Sequence, residues 1–365
     1  MPLDEAKEFF EKRVSSNTEP QDFLALGSIM IAIGEHEKGI ADLKKALELA
    51  TDARGYLEPL GFAQLATNDE PSAIETFSKA LLNETESVPA LMGRGLAYYQ
   101  VGQLENSRLD LERAIALEPK HAFPRKYLGA LLHDMGTLER AEEHLDAAAK
   151  IDGYDAFTRK ALGRLYYDMG KYSEALREFA IAVKLAPKDV ESITGRGVIR
   201  HSIGTNLDGA EADFKLAIQL SDDSENPGYL WSNLGQVQME VGKFADAFNS
   251  LTKAIKVDPT FMEARSHRAQ LLATQLPNDL KRIEQAKGDV QIVFQSPGPR
   301  TFWDYRALAA VNAALGDYER AVKYQGHAEK ALRKSGPKRF QAPASQTMSE
   351  FLSFIEDHSA AERNH

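Results

Sequence analysis

The sequence predicts an all-α solenoid of about nine stacked helix–turn–helix repeats with a capping helix at each end. Three observations carry this. Gly27, Gly61, Gly95, Gly129, Gly163 and Gly197 stand 34 residues apart without a slip, and 34 residues is the length of one two-helix unit. Twelve residues on from these glycines come Gly39, Ala73, Ser107, Ala141 and Ala175, and nineteen on come Ala46, Ala80, Ala114, Ala148 and Ala182. Small residues recur where helices cross closely, and Leu43, Phe77, Leu111, Leu145 and Phe179 fill the space between them. Lastly, 43% of the residues are hydrophobic, enough to bury a spine between stacked helices.

The elements follow in order. Leu3, Ala6, Phe9, Phe10 and Val14 form an apolar stripe at helical spacing, which predicts an N-terminal capping helix over residues 1–17. Thr18 with Gln21 reads as a capping box that opens the first repeat helix, and Pro20 is tolerated in its first turn. The repeats then occupy 18–334, near 20–53, 54–87, 88–121, 122–155, 156–189, 190–227, 228–261, 262–301 and 302–334. Gly34, Gly102, Gly136 and Gly170 sit seven after the motif glycine and mark the turn between paired helices. Pro119 and Pro187 end the second helices of their repeats.

The sixth repeat carries one extra residue in its turn, because Ala210 follows Gly197 at 13. Its exit loop, Ser221 to Gly228, is longer too, so Gly235 lies 38 beyond Gly197. In the eighth, Ala269 replaces the glycine and the segment from Gln275 to Lys287 holds roughly five extra residues. The ninth returns to pattern with Leu308, Ala309, Gly316, Asp317, Ala321 and Ala328. Over 335–365, Gly336, Pro337 and Pro343 mark a linker, and Met348, Phe351, Leu352 and Ile355 predict a short amphipathic helix before a frayed tail. That helix closes the last repeat, or alternatively folds back as an internal ligand.

These spacings resemble the tetratricopeptide repeat family, whose consensus is an aromatic residue, Leu-Gly, Tyr, Gly, Ala, Phe, Ala and Pro. The fifth repeat matches through Leu162, Gly163, Tyr166, Gly170, Ala175, Phe179, Ala182 and Pro187. The seventh matches through Trp231, Leu234, Gly235, Gly242, Ala247, Ala254 and Pro259. The resemblance spans about residues 20–334. It implies a right-handed superhelix with an inner groove lined by the first helix of each repeat, and a non-catalytic scaffold or adaptor that binds a protein or peptide there. The alternative is a regulatory or targeting arm of an enzyme or machine whose active subunit is another chain. The RNA-reading pentatricopeptide relatives lack the Gly and Ala pattern.

Charge and composition exclude several classes. A net charge of −10 weighs against nucleic acid, which needs Lys and Arg clustered on one face. No run of 18 apolar residues exists, so no membrane span is expected. Met1-Pro2-Leu3-Asp4-Glu5 shows neither a basic nor an apolar stretch, so no secretory signal is expected either. Zero cysteines exclude disulfides and thiolate metal sites, and the expectation is a cytoplasmic protein without a cofactor.

By the family's inner positions, the early groove is apolar at Leu24, Ala25, Phe62, Met92, Leu96 and Tyr99. Its middle holds Phe123, Lys126, Tyr127, His133 and Asp134, then Phe157, Lys160, Arg164, Tyr167 and Asp168. Further on come His201, Tyr229, Asn233, Gln236, Met239, Glu240, His267 and Gln270. Cations among aromatic rings suit an extended peptide with acidic side chains or a free carboxylate. Repeats four and five are near copies, so Phe123/Phe157, Lys126/Lys160 and Asp134/Asp168 would form two-rung ladders. Those ladders track an anionic peptide, or they are residues left identical by duplication. The carboxylate clamp of some family members is absent as a set: Lys160 matches, but Arg164 replaces its Asn, and Gly195, Tyr229 and Asn233 follow. Tyr98, Tyr99 and the apolar early groove offer an alternative surface for a homo-oligomer.

Catalytic signals are weak. Gly93-Arg94-Gly95 and Gly195-Arg196-Gly197 lack the third glycine and preceding strand of a phosphate loop. His133 with Asp134 and Asp168 can be drawn as an acid–base set, although such residues are far more often solvated partners on a helix. Trp231 stands at a consensus packing position and reads as core.

Overall fold

The computed structural model describes residues 2–16, 19–221, 228–275 and 279–335, and among them are nineteen helices and no strand. The expected C-terminal helix around Met348, Phe351, Leu352 and Ile355, and Thr18 of the expected capping box, lie outside the described residues. Helix α1 (Leu3–Ser16) packs on the first helix of the first repeat. Only part of its stripe is covered, since Ala6 is buried while Leu3 and Phe9 are 50% and 48% exposed.

The chain divides into two compact units, residues 1–165 and 166–365, with the division inside α10 (Ala156–Asp168). The first unit holds the pairs α2 (Pro20–Ala32) with α3 (His36–Leu49), α4 (Leu57–Ala66) with α5 (Glu70–Asn83), α6 (Val88–Gln100) with α7 (Leu104–Leu117), and α8 (Ala122–Asp134) with α9 (Leu138–Ile151). The second holds α11 (Tyr172–Leu185), then α12 (Val190–Ile203) with α13 (Leu207–Leu220), and α14 (Gly228–Glu240) with α15 (Phe244–Val257). It ends with α16 (Met262–Gln275) and α17 (Leu280–Gln295), then α18 (Phe302–Ala314) and α19 (Tyr318–Ser335). Within each unit the first helices of successive pairs touch one another and build one wall: α2, α4, α6 and α8 in the first, α12, α14, α16 and α18 in the second.

Helix starts are written into the sequence eight residues before four successive motif glycines, Gly95 to Gly197. Ser87, His121, Asp155 and Asp189 stand there, each accepting a backbone N–H from the helix it precedes. Such a bond satisfies one of the donors that a first turn leaves without a partner. Thr301 does the same for α18 in a full capping box with Asp304. At the start of α2 the cap position is Glu19, which makes no side-chain cap bond. The turns between paired helices need a left-handed residue, and Gly34, Gly102, Gly136 and Gly170 supply it at φ +87°, +77°, +76° and +73°. In the second repeat Asn68 takes that conformation, at φ +55°.

A buried ion pair repeats in register with the glycines. Arg94 grips Asp110 through Nε and Nη2 at 2.7 and 2.9 Å. Arg196 grips Asp213 at 3.1 and 2.6 Å, and Arg268 grips Asp289 at 2.8 and 2.8 Å. The arginine is always one before the motif position, while the aspartate falls 15, 16 and 20 after it. The extra residue of the sixth repeat is absorbed in its turn and those of the eighth largely in the longer α17, and the helix-to-helix pairing is kept.

Close packing explains the first glycine of the Gly-Arg-Gly segments, which lie inside α6 and α12. A Cβ on Gly93 would meet Phe77 Cζ at 2.2 Å, and one on Gly195 would meet Phe179 Cε1 at 2.4 Å. Each ring occupies the space a side chain would need.

Candidate functional site

Seven of the twelve candidate groove residues lie in the first unit: Phe123, Lys126, Tyr127, Asp134, Phe157, Lys160 and Arg164. The other five, Tyr167, Asp168, Tyr229, Asn233 and Gln236, lie in the second.

The first-unit set meets where α6, α8 and the first turns of α10 run side by side. Tyr127 stacks between two rings, with centroids 4.7 Å from Phe123 and 5.1 Å from Phe157. Lys126 lies against all three, its Nζ 5.6, 5.5 and 5.4 Å from Phe123, Tyr127 and Phe157. The same Nζ donates to Asp155 at 3.1 Å. Asp155 in turn accepts the Thr158 N–H at 2.9 Å and its hydroxyl at 2.5 Å. Burial works against the charge on Asp155, but the bonds from Thr158 and Lys126 outweigh it and hold the carboxyl below its usual range. Lys126 is thus the lower rung of the expected lysine ladder in position only, since its charge is spent on Asp155 and the aromatic stack.

One turn on, the side chains open onto a depression of about 80 Å³ lined by Tyr99, Ala130, His133, Asp134, Phe157, Lys160, Ala161 and Arg164. The Tyr99 hydroxyl donates to Asp134 at 2.5 Å. Burial pushes the Tyr99 phenol well above its ordinary value, and the bond to Asp134 adds to this. Burial likewise raises the Tyr127 phenol. Lys160 and Arg164 line the depression together with Asp134.

The second-unit candidates are dispersed along their own wall. Tyr167 lies 5.7 Å from Tyr172, ring to ring. Tyr229 is exposed, Asn233 is half-buried, and Gln236 donates to Glu263 at 3.3 Å. Three other residues expected to line the groove are instead buried: Met92, His267 and Gln270. Trp231 packs against two core clusters around Leu234 and Leu251.

The sequence reading passed over Asp155 and Glu263. Both had a positional signal. Asp155 occupies the helix-cap position shared with Ser87, His121 and Asp189, and Glu263 stands six before Ala269, as Phe123, Phe157 and Tyr229 stand six before their glycines. The Tyr99–Asp134 bond joins residues 35 apart, one repeat plus one residue.

Two tetratricopeptide repeat profiles match the chain, one over residues 92–156 and 160–225 and the other over 229–261. No curated protein sequence matches it. Among solved structures, a tetratricopeptide repeat protein from Parabacteroides merdae is 20% identical over 68% of this chain and 96% of its own, with a TM-score of 0.48. YrrB, a tetratricopeptide repeat protein with an unusual peptide-binding site, is 20% identical over 52% of this chain and 96% of its own, with a TM-score of 0.46. The APC/C hetero-tetramer Cut9–Hcn1 is 13% identical over 89% of this chain and 59% of its own, with a TM-score of 0.56, a likeness of fold alone. Repeat spacing, helix pairing and profile matches agree: the chain is a tetratricopeptide-repeat protein. It thereby falls in a class of protein-interaction scaffolds. No described helix is long and apolar enough to cross a membrane.

Proposed function

We propose that the chain is a non-catalytic scaffold that holds an extended, carboxylate-bearing segment of a protein partner on the α6–α8–α10 wall of its first unit. The observation that carries this reading is the meeting of Lys160 and Arg164 on one small depression beside Phe157 and Tyr99. A guanidinium offers a planar fork of donors that a carboxylate matches in two bonds, and a neighbouring ammonium adds charge without fixing geometry. Phe123, Tyr127 and Phe157 give such a segment an aromatic surface to lie along. Lys126 and Asp155 keep that surface rigid rather than touching the ligand.

The test is affinity capture from native extract with the wild-type chain and with a Lys160→Glu, Arg164→Glu variant of unchanged helical circular dichroism. The expected outcome is loss of prey whose captured segments are acidic. Identical prey with both proteins would overturn the reading.

A further inference from the structure

The seventh repeat lacks what two other repeats use to close the groove between successive second helices. In the third, Arg94 on α6 reaches Asp110 on α7 and, through Nη1, the Ser78 hydroxyl on α5 at 3.2 Å. In the eighth, Arg268 on α16 reaches Asp289 on α17 and, again through Nη1, Thr252 on α15 at 3.2 Å. Each guanidinium thus lies across the groove and is bonded to both walls. The seventh repeat has Leu234 in place of the arginine. Ile218 stands sixteen before it on α13 and Ser250 sixteen after it on α15, as Ser78 and Asp110 stand about Arg94. A second shortfall falls three after the motif glycine, where Tyr98 and Tyr166 stand in the third and fifth repeats and Gln238 in the seventh.

The result is a cleft of about 410 Å³ between α13, α14 and α15, lined by Ile218, Leu234, Gln238 and Ser250 and by Trp231. Two donors of this lining are unsatisfied. Gln238 is 3% exposed, and its side-chain oxygen accepts the Ser250 hydroxyl at 2.7 Å. Its amide N–H groups have no acceptor among the described residues. The buried indole Nε1 of Trp231 has no partner among them either. Buried N–H groups are nearly always paired, so both call for an acceptor oxygen from outside the chain. The lining holds one cation and one carboxylate, Lys215 and Asp246, and so favours a neutral ligand.

We propose that this cleft receives a tyrosine side chain of a protein partner, its ring against Ile218, Trp231 and Leu234 and its hydroxyl at the Gln238 amide. The fold itself indicates the occupant, because a tyrosine fills the same register position in two other repeats. A phenol joins an apolar body to a polar tip, and its oxygen accepts as well as donates. Phenylalanine would fill the space and leave the donors unpaired. The site lies in the second unit and does not depend on the one proposed in the first.

The test follows the indole N–H signals of the two tryptophans by NMR in the isotope-labelled full chain as N-acetyl-tyrosine amide is added. Trp231→Phe identifies which signal belongs to which residue. The expected result is a saturable shift of the Trp231 signal, with the Trp303 signal unmoved. N-acetyl-phenylalanine amide should bind about fivefold or more weakly. Gln238→Tyr supplies from within the ring that Tyr166 supplies in the fifth repeat, and should abolish the shift. If that variant loses helical circular dichroism, Ile218→Lys on the partly exposed wall blocks the cleft instead. Lys160→Glu with Arg164→Glu should leave the shift unchanged. No saturable shift, an equal response to the phenylalanine probe, or a shift that survives the filled cleft would each overturn the proposal.

Discussion

Asp155 shows how one side chain can serve two structures at once. It caps α10 through the Thr158 N–H and holds Lys126 against three rings. Asp155→Ala should therefore cost about 1–3 kcal/mol in urea unfolding, the sum of a lost cap and a half-buried ammonium left without its partner. Asp155→Asn should cost less, since the amide oxygen still caps. The carboxyl is held below its unfolded value, so its contribution is present above about pH 4 and is lost as pH falls through the lower folded value. His267 runs the other way. Burial pulls its imidazole from 6.5 down to about 3, so below pH 6.5 the unfolded chain takes a proton that the folded chain refuses. The wild type should lose about 2 kcal/mol relative to His267→Phe between pH 7 and pH 5, read from paired urea curves. Glu263, raised by burial, titrates with the opposite sign and is common to both proteins. A pH-independent difference would show that His267 is solvated. The sequence placed His267 at a groove position because spacing reports the face of a helix. How deep that face lies depends on Trp303 from the next repeat, 36 residues away.

Between elements, the repeat is held by shape at the helix crossings and by charge at the Arg–Asp pairs. Phe77 of α5 and Gly93 of α6 are a matched pair, because the ring fills what a side chain at 93 would take. Gly93→Ala should destabilise by about 1–3 kcal/mol despite the better helix propensity of alanine, since a Cβ 2.2 Å from Phe77 Cζ forces the ring or the helix to shift. Adding Phe77→Leu should recover part of that loss, and the coupling in the double-mutant cycle is the measurement. Strict additivity would mean that the two residues do not compete for space. Nearly every helix was legible in the sequence because the small residues at glycine, glycine plus 12 and glycine plus 19 mark crossings that recur every 34 residues. The irregular eighth repeat was legible too, since Asp289 stays paired with Arg268 despite its extra residues. What was not legible was where Lys126 places its charge: on Asp155, and against Phe157 of the next repeat. Those are contacts between repeats, which a period cannot show.

At the scale of the whole molecule, a chain of net charge −10 carries a small depression lined by Lys160 and Arg164 as well as Asp134, built from the first helices of one compact unit. The net charge argues about solubility and non-specific nucleic-acid binding, while recognition is set locally, within a Debye length of about 8 Å at physiological salt. The most direct measurement is fluorescence anisotropy of a labelled peptide of alternating Glu and Ala, titrated with the wild-type chain and with Lys160→Glu, Arg164→Glu. The account predicts saturable binding that weakens about tenfold or more in the variant and when Gln replaces Glu in the peptide. Equal affinity of the two proteins, or of the two peptides, would contradict it.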